Sequence, residues 1–469
     1  MTCFQKNINF GTNATLEKRI HALWQGWVTF LHDCISSRLP ALCMIALVAL
    51  SSGTASAATS DEILRKWYGL SLSLIRHTPT YSPPVASRAL AYLGVTSYEA
   101  VASGSPQLQS LAGQLNGLKP LTARENGLDY DDVVVLETAL ATVIHDLFNN
   151  TGPSGQQAIQ HLEDELKAST VTLGSTPESQ ARSTAYGRTI AAHIIAWSRE
   201  DGGAVIDNMG FPLTYGLDKR PGHWVPTNPL ARQQQVPLLP NWGKNRPFAM
   251  PEGASCPLPP PLDYSEDPGS AFYKDALETY QTGKSLTNEQ KAIAFFWTDD
   301  AMASPTPAGH WSSILLQIAE HDHLPLEKHV DALARLGIAM ADAFIGCWHE
   351  KYRYDLVRPI TYIRKFIAPD WTPFLLTPPF PEYPSGHSTL SAAAATVLAS
   401  VIGDPYSFTD HTRERDTAIP RSFDSFWSAA KEAEISRLYG GIHFRTAIER
   451  GFEQGRCIGA YALALKTTR

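Results

Sequence analysis

From Asp61 onward the apolar residues recur every three to four positions, with Ile63, Trp67, Leu70 and Leu74 forming the first stripe, which is the spacing of a helix with one buried face. The same period predicts helices over 85–102, behind Pro83-Pro84, and over 129–148, 154–168 and 177–199, the last opened by the cap-like run Thr176-Pro177-Glu178-Ser179. It returns over 270–282, 287–298, 311–320, 326–351, 387–402, 426–439 and 446–465. No alternating stretch with a hairpin turn stands out, and no repeat of fixed period is visible. Residues 201–268 break the pattern: 13 of the chain's 33 prolines fall there without any sustained period. Trp224, Trp242 and Phe248 give that stretch apolar anchors, which suits chain that wraps a surface or covers a site. The expected fold is mainly α: two packed helical bundles, 58–200 and 269–469, with the long proline-rich irregular segment between the halves.

Composition narrows the possible partners. A chain of 469 residues with 43% apolar content can build one large core or two modest ones. A formal net charge of −7 argues against general affinity for nucleic acid or acidic membrane surfaces, so any anion it binds must be caught by local charge. The apolar run 39–50 follows Arg38, is too short to span a bilayer, and precedes Ala55-Ser56-Ala57, a small-residue cleavage pattern. Residues 1–57 are therefore expected to be an export signal, giving a periplasmic or secreted product with no stable membrane insertion after cleavage. Three of the six cysteines (Cys3, Cys34, Cys43) lie in that leader. Cys256, Cys347 and Cys457 remain, scattered and odd in number, and imply neither a disulfide framework nor a zinc site.

Three separated segments carry candidate chemistry. In Pro381-Glu382-Tyr383-Pro384-Ser385-Gly386-His387, the proline keeps Tyr383 out of helical conformation while the alanine-rich run behind favours a helix, so its N-terminus presents free N–H groups to an anion. Ser385 adds a hydroxyl and His387 a proton relay. The long predicted helix from Leu326 ends in Trp348-His349-Glu350-Lys351, with Arg358-Pro359 seven residues beyond the lysine, where two cations can clamp one oxyanion. In Arg437-Leu438-Tyr439-Gly440-Gly441-Ile442-His443, the glycines permit a left-handed helix end that turns both charged side chains toward one point. Together Lys351, Arg358 and Arg437 supply three positive charges, and His387 and His443 two imidazoles. The other thirteen of the 15 histidines are read as structural or surface. This set suits a tetrahedral or trigonal-bipyramidal oxyanion.

The order Lys-x6-Arg-Pro, Pro-Ser-Gly-His, Ser-Arg-x3-Gly-x-His resembles the vanadium-dependent haloperoxidases, bacterial type, within the type 2 phosphatidic acid phosphatase superfamily of acid phosphatases. Phe296-Trp297-Thr298-Asp299-Asp300 and Pro305-Thr306-Pro307-Ala308-Gly309-His310-Trp311 add to the likeness. The resemblance implies that His443 binds vanadium through a ring nitrogen, and that Lys351, Arg358, Ser385, Gly386 and Arg437 hold the vanadate oxygens. It further implies that His387 is the acid–base residue, that Trp348 and Phe380 line the halide side, and that Asp299 or Asp300 is a carboxylate supporting the basic residues. Phosphate is then a competing occupant. One position departs from the family pattern: an aspartate is common four residues after the metal-binding histidine, and here Ala447 stands there. A carboxylate or carbonyl from elsewhere, Glu449 being the nearest acidic residue in sequence, must orient the ring.

The activity that the resemblance implies is oxidation of halide by hydrogen peroxide to hypohalous acid for transfer to a small organic acceptor, with Lys351 polarising the bound peroxide. Two other readings use the same residues. One is an exported acid phosphatase in which His443 forms a phosphohistidine and His387 protonates the leaving alcohol. The other is an oxyanion-binding protein without turnover.

Overall fold

A computed structural model describes residues 58–469 apart from 171–174, 228–234, 301 and 417. The predicted leader, with Cys3, Cys34 and Cys43, lies outside the described residues. Among these there are thirteen α-helices and one small antiparallel sheet, so the mainly α expectation holds. The first five helices are α1 (Ser60–His77), α2 (Pro83–Ala102), α3 (Asp132–Leu147), α4 (Gly152–Ser169) and α5 (Pro177–Ser198). The caps follow the sequence signals: the Thr59, Asp131 and Thr176 side chains each accept from first-turn N–H groups, satisfying donors that have no partner inside the helix.

After the proline-rich segment come α6 (Ala271–Lys284), α7 (Asn288–Phe296), α8 (Thr306–Asp322), α9 (Leu326–Tyr354), α10 (Pro359–Phe366), α11 (Gly386–Val401), α12 (Phe426–Tyr439) and α13 (Arg445–Leu463). Two features escaped the periodicity. Helix α10 spans only two turns and is started by Pro359 in its first turn, with Arg358 extended before it. Strands β1 (Phe408–Asp410) and β2 (Arg421–Phe423) are three residues each, too short for alternation to show.

One hydrophobic core runs through both helical halves, because α9 packs along α2 where each lacks a side chain. A Cβ on Gly94 would sit 2.8 Å from the Leu333 carbonyl oxygen, and one on Gly337 would sit 2.9 Å from Ala91 Cα. Helix α13 meets α11 through Gly451, Gly455 and Gly459, spaced one turn apart against Ser385, Thr389 and Ala393–Thr396. That ridge fixes α11, whose alanines 392–395 are fully buried, at the centre of the second half.

The 201–268 segment is held down where it is described. Asp342, buried in α9, accepts from the N–H groups of Phe248, Ala249 and Met250 at 2.6, 2.9 and 2.8 Å. Trp224, Trp242 and Phe248 are all buried. Cys256 in this segment forms a disulfide with Cys457 in α13. This corrects the expectation of no disulfide: the pair lies 201 residues apart in sequence, and only the fold brings the Cα atoms to 6.0 Å. Cys347 stays free and buried. No helix among the described residues is long and apolar enough to cross a membrane.

Candidate active site

The N-terminus of α11 forms the floor of a cavity of about 560 Å³ whose wall includes Gly386, His387, Arg437 and His443, with Trp348, Phe380, Asp299 and Asp300. Lys351, Arg358 and Ser385 stand directly behind that wall. The proline-rich segment contributes Met209, Phe211 and Leu238 to the lining.

Each side chain is placed by a local event in the backbone. Helix α9 ends at Asp355, which takes a left-handed conformation (φ 48°) and returns its N–H to the Lys351 carbonyl at 2.9 Å. The chain then runs extended through Arg358, so the lysine and arginine converge from a helix end and a helix start rather than from one continuous helix face. Ser385 caps α11, its Oγ accepting from the Ser388 N–H and, at 2.9 Å, from the Ser388 hydroxyl. Its own proton remains to be donated. Gly386, as the first helical residue, has an N–H with no partner within the helix. After α12 the turn through Gly441 (φ 72°) swings His443 back toward Arg358.

His443 is only 3% exposed. Its Nδ1 lies 2.9 Å from Glu382 Oε1, and Arg358 Nη1 points at its Nε2 from 3.2 Å. Glu382 Oε1 also accepts the Phe444 N–H at 2.8 Å. Glu382 Oε1, an acceptor already engaged by the Phe444 N–H, therefore fixes the proton on Nδ1 and turns the Nε2 lone pair away from Glu382, toward Arg358 and the cavity. Glu382 thus fills the role left open by Ala447. Glu449 makes no such contact among the described hydrogen bonds, and Ala447 instead offers its carbonyl to the Ser385 N–H. Glu382 sits inside the Pro-Glu-Tyr-Pro-Ser-Gly-His run, three residues before Ser385. A buried acid next to a cation cluster was the available signal, but its partner 61 residues away was not readable.

All three donors of Lys351 are taken by the carbonyls of Pro381, Glu382 and Pro384. Three acceptors match the three protons of an ammonium, yet burial pushes its pKa down to about 7. As placed here, Lys351 acts on the cavity through its field rather than through a free N–H. Arg358 donates to the Phe380 carbonyl at 2.7 Å and to the Ile442 carbonyl at 2.8 Å, and Arg437 to Ser436 Oγ and the Trp297 carbonyl. Burial lowers both guanidiniums to about 10, so both remain charged at neutral pH. Burial and the neighbouring cations hold both imidazoles well below their ordinary pKa, Arg437 acting first on His387 and Arg358 on His443. Both rings are neutral. Burial likewise raises Glu382 to about 8.

Three polar atoms of this set are buried without a partner: the donor Arg358 Nη2, the ring nitrogen His387 Nε2 and the acceptor Glu382 Oε2. A buried donor such as Arg358 Nη2 is costly unless a guest supplies an acceptor. Concentrated positive charge, a helix N-terminus and the unpaired Arg358 donor together fit an oxyanion. Trp348 and Phe380 pack at 4.9 Å between centroids on one side of the cavity, with the Phe380 ring against both Lys351 and Arg358. Both candidate carboxylates line the cavity; Asp299 is the buried one, 3.9 Å from His387 Nε2 and 3.8 Å from Arg413, and Asp300 is exposed.

Comparisons with known proteins agree with this arrangement. Residues 331–468 match the family model described as the VCPO second helical-bundle domain. The chain is 25% identical over 475 residues to vanadium chloroperoxidase from Curvularia inaequalis, a match covering 80% of this chain and 77% of that protein. Among solved structures, a holo-type bacterial vanadium-dependent chloroperoxidase shares the fold, with a TM-score of 0.65 at 16% identity over 83% of this chain and 93% of that one. The structure described as the first bacterial vanadium-dependent iodoperoxidase superposes with a TM-score of 0.77 and 37% identity, covering 87% of this chain and 96% of that chain. With more than a third of the aligned residues identical along nearly the full length of that protein, the chain belongs to the vanadium-dependent haloperoxidase family.

Proposed function

We propose that this chain is an exported, vanadate-dependent haloperoxidase that oxidises a halide with hydrogen peroxide to hypohalous acid, which then reacts with a small organic acceptor. The observation that carries the reading is the single cavity in which a neutral, oriented His443 faces buried cations and the unpaired Arg358 donor. His443 would hold vanadate through Nε2, with Arg358, Arg437, Ser385 and the Gly386 N–H on its oxygens and Lys351 adding charge from behind. Vanadate bound there supplies Lewis-acid activation of hydrogen peroxide toward halide.

The chain's own groups do the rest. Reducing peroxide to water while halide becomes hypohalous acid consumes one proton. His387, neutral and at the cavity wall, is the group able to take a proton from incoming peroxide and return it. Trp348 and Phe380 give the halide a weakly hydrated wall beside positive charge. The disulfide between Cys256 and Cys457 supports export, because such bonds persist in oxidising compartments.

Purified protein is to be given orthovanadate and peroxide with chloride, bromide or iodide, and separately a phosphate monoester. Vanadate-dependent halogenation suppressed by phosphate is expected, with iodide included because the bacterial relative is named for it. Ester hydrolysis without halogenation would overturn the proposal. His443→Ala is expected to abolish vanadate retention, while His387→Ala keeps binding and loses turnover by roughly 10²–10⁴-fold, the usual contribution of a positioned acid–base group.

A further inference from the structure

His310 in α8 is the one histidine among the described residues whose ring nitrogens both face carboxylates at full burial. It is 0% exposed. Its Nδ1 lies 3.0 Å from each oxygen of Asp299, and its Nε2 lies 2.7 Å from Asp410 Oδ2. An ionised carboxylate only accepts hydrogen bonds, so a neutral ring would turn a lone pair against one of the two. The ring that satisfies both is the imidazolium.

The surroundings keep the clamp rigid. Trp297 stacks on the His310 ring at 4.6 Å and 19°. The Trp297 carbonyl accepts from Arg437 and lies against the His387 ring. Asp299, two residues on, sits in left-handed backbone conformation (φ 46°), a placement that a non-glycine residue keeps only when its contacts hold it. On the far side Asp410 comes from β1, pinned by the Thr412 N–H at 2.9 Å. The charged and titratable groups facing the clamp are Arg413, 3.8 Å from Asp299, and, across Asp299, Arg437, Asp300 and the neutral His387.

We propose that His310 is a positioning residue for the acid–base step: clamped between Asp299 and Asp410, it fixes the Asp299 carboxylate, which in turn sets the orientation and proton affinity of His387. The inference rests on the haloperoxidase reading of the cavity. Burial opposes charge at His310, but the two carboxylates hold its pKa up at about 10, and the same charge holds Asp299 well below its ordinary value. Removing the His310 charge leaves the Asp299 carboxylate with only Arg413 and Arg437 to offset it beside His387. The imidazole of His387 then gains proton affinity, and its ring is no longer fixed.

The test uses His310→Gln, with Asp410→Asn as the second variant in case the first does not fold, each checked by thermal melting. The expected result is a fall in kcat of roughly 10–100-fold, the usual cost of losing a group that orients a catalytic one. Orthovanadate and phosphate affinity should stay within about threefold, and the acidic limb of the kcat–pH profile should move to higher pH. Independently of activity, ¹⁵N spectra of the histidine rings in protein without added oxyanion should show both His310 nitrogens protonated at neutral pH in wild type. Wild-type kcat and pH profile in the folded variants, a loss of oxyanion affinity equal to the loss of kcat, or a singly protonated His310 ring would each overturn the proposal. A wild-type protein without halogenation but with a doubly protonated His310 ring would instead count against the haloperoxidase reading alone.

Discussion

At the scale of single residues, the site depends on which buried groups carry charge. Glu382 holds His443 by one hydrogen bond, so Glu382→Gln should weaken orthovanadate binding by roughly 10–100-fold while the fold survives, measured by equilibrium titration. The same pair of groups predicts how binding responds to pH. Burial places Lys351 at about 7 and Glu382 at about 8, so as pH rises through 7 to 8 the lysine loses a positive charge and the glutamate gains a negative one. Both changes oppose an anion, and affinity must fall over that window. Sulfate is the probe of choice because its own charge stays constant there; calorimetric titration at pH 6 and pH 9 should show clearly weaker binding at the higher pH. The cations and both imidazoles were legible in the sequence as residue types. The partner of His443 was not, because a hydrogen bond across 61 residues leaves no trace in local spacing.

At the scale of elements, function rests on where α11 begins and what holds it there. Ser385 was readable as a cap, and the helix starts at Gly386, one residue from the expected boundary. Its depth is set by α13, whose glycine ridge lets the two backbones touch. A Cβ at Gly455 would fall 2.0 Å from the Thr389 carbonyl oxygen and 2.8 Å from Ala392 Cβ. Gly455→Ala is therefore expected to destabilise the protein by about 1–3 kcal/mol despite alanine's better helix propensity, read from denaturant or thermal unfolding. The helical period located most elements to within a few residues, since caps and buried stripes are local properties. It missed α10 and the β1–β2 pair, whose lengths fall below what any period can register.

At the scale of the whole molecule, the proline-rich segment is tied to both halves and supplies part of the cavity lining. The disulfide closes a loop of 201 residues between that segment and α13. Cys457→Ser should lower stability by about 2–5 kcal/mol, seen as an earlier thermal transition that reducing agent reproduces in the wild type. Because the same helix α13 carries the ridge against α11, oxyanion affinity should be measured alongside. The haloperoxidase family was recognisable from the three motifs and their order, and the 37% identical bacterial structure agrees with it.

Taken alone, the amino-acid order determined the helices, the anion-ready start of α11 and the set of charged side chains available to it. These follow from periodicity, capping and residue chemistry, all of which act over a few positions. Only the tertiary structure decided that Glu382 orients His443, that Lys351 spends its donors on three carbonyls, that His310 is gripped by two acids, and that Cys256 meets Cys457. Each of those pairings depends on burial and on distances between remote segments, and those are set by how the helices pack rather than by any one of them.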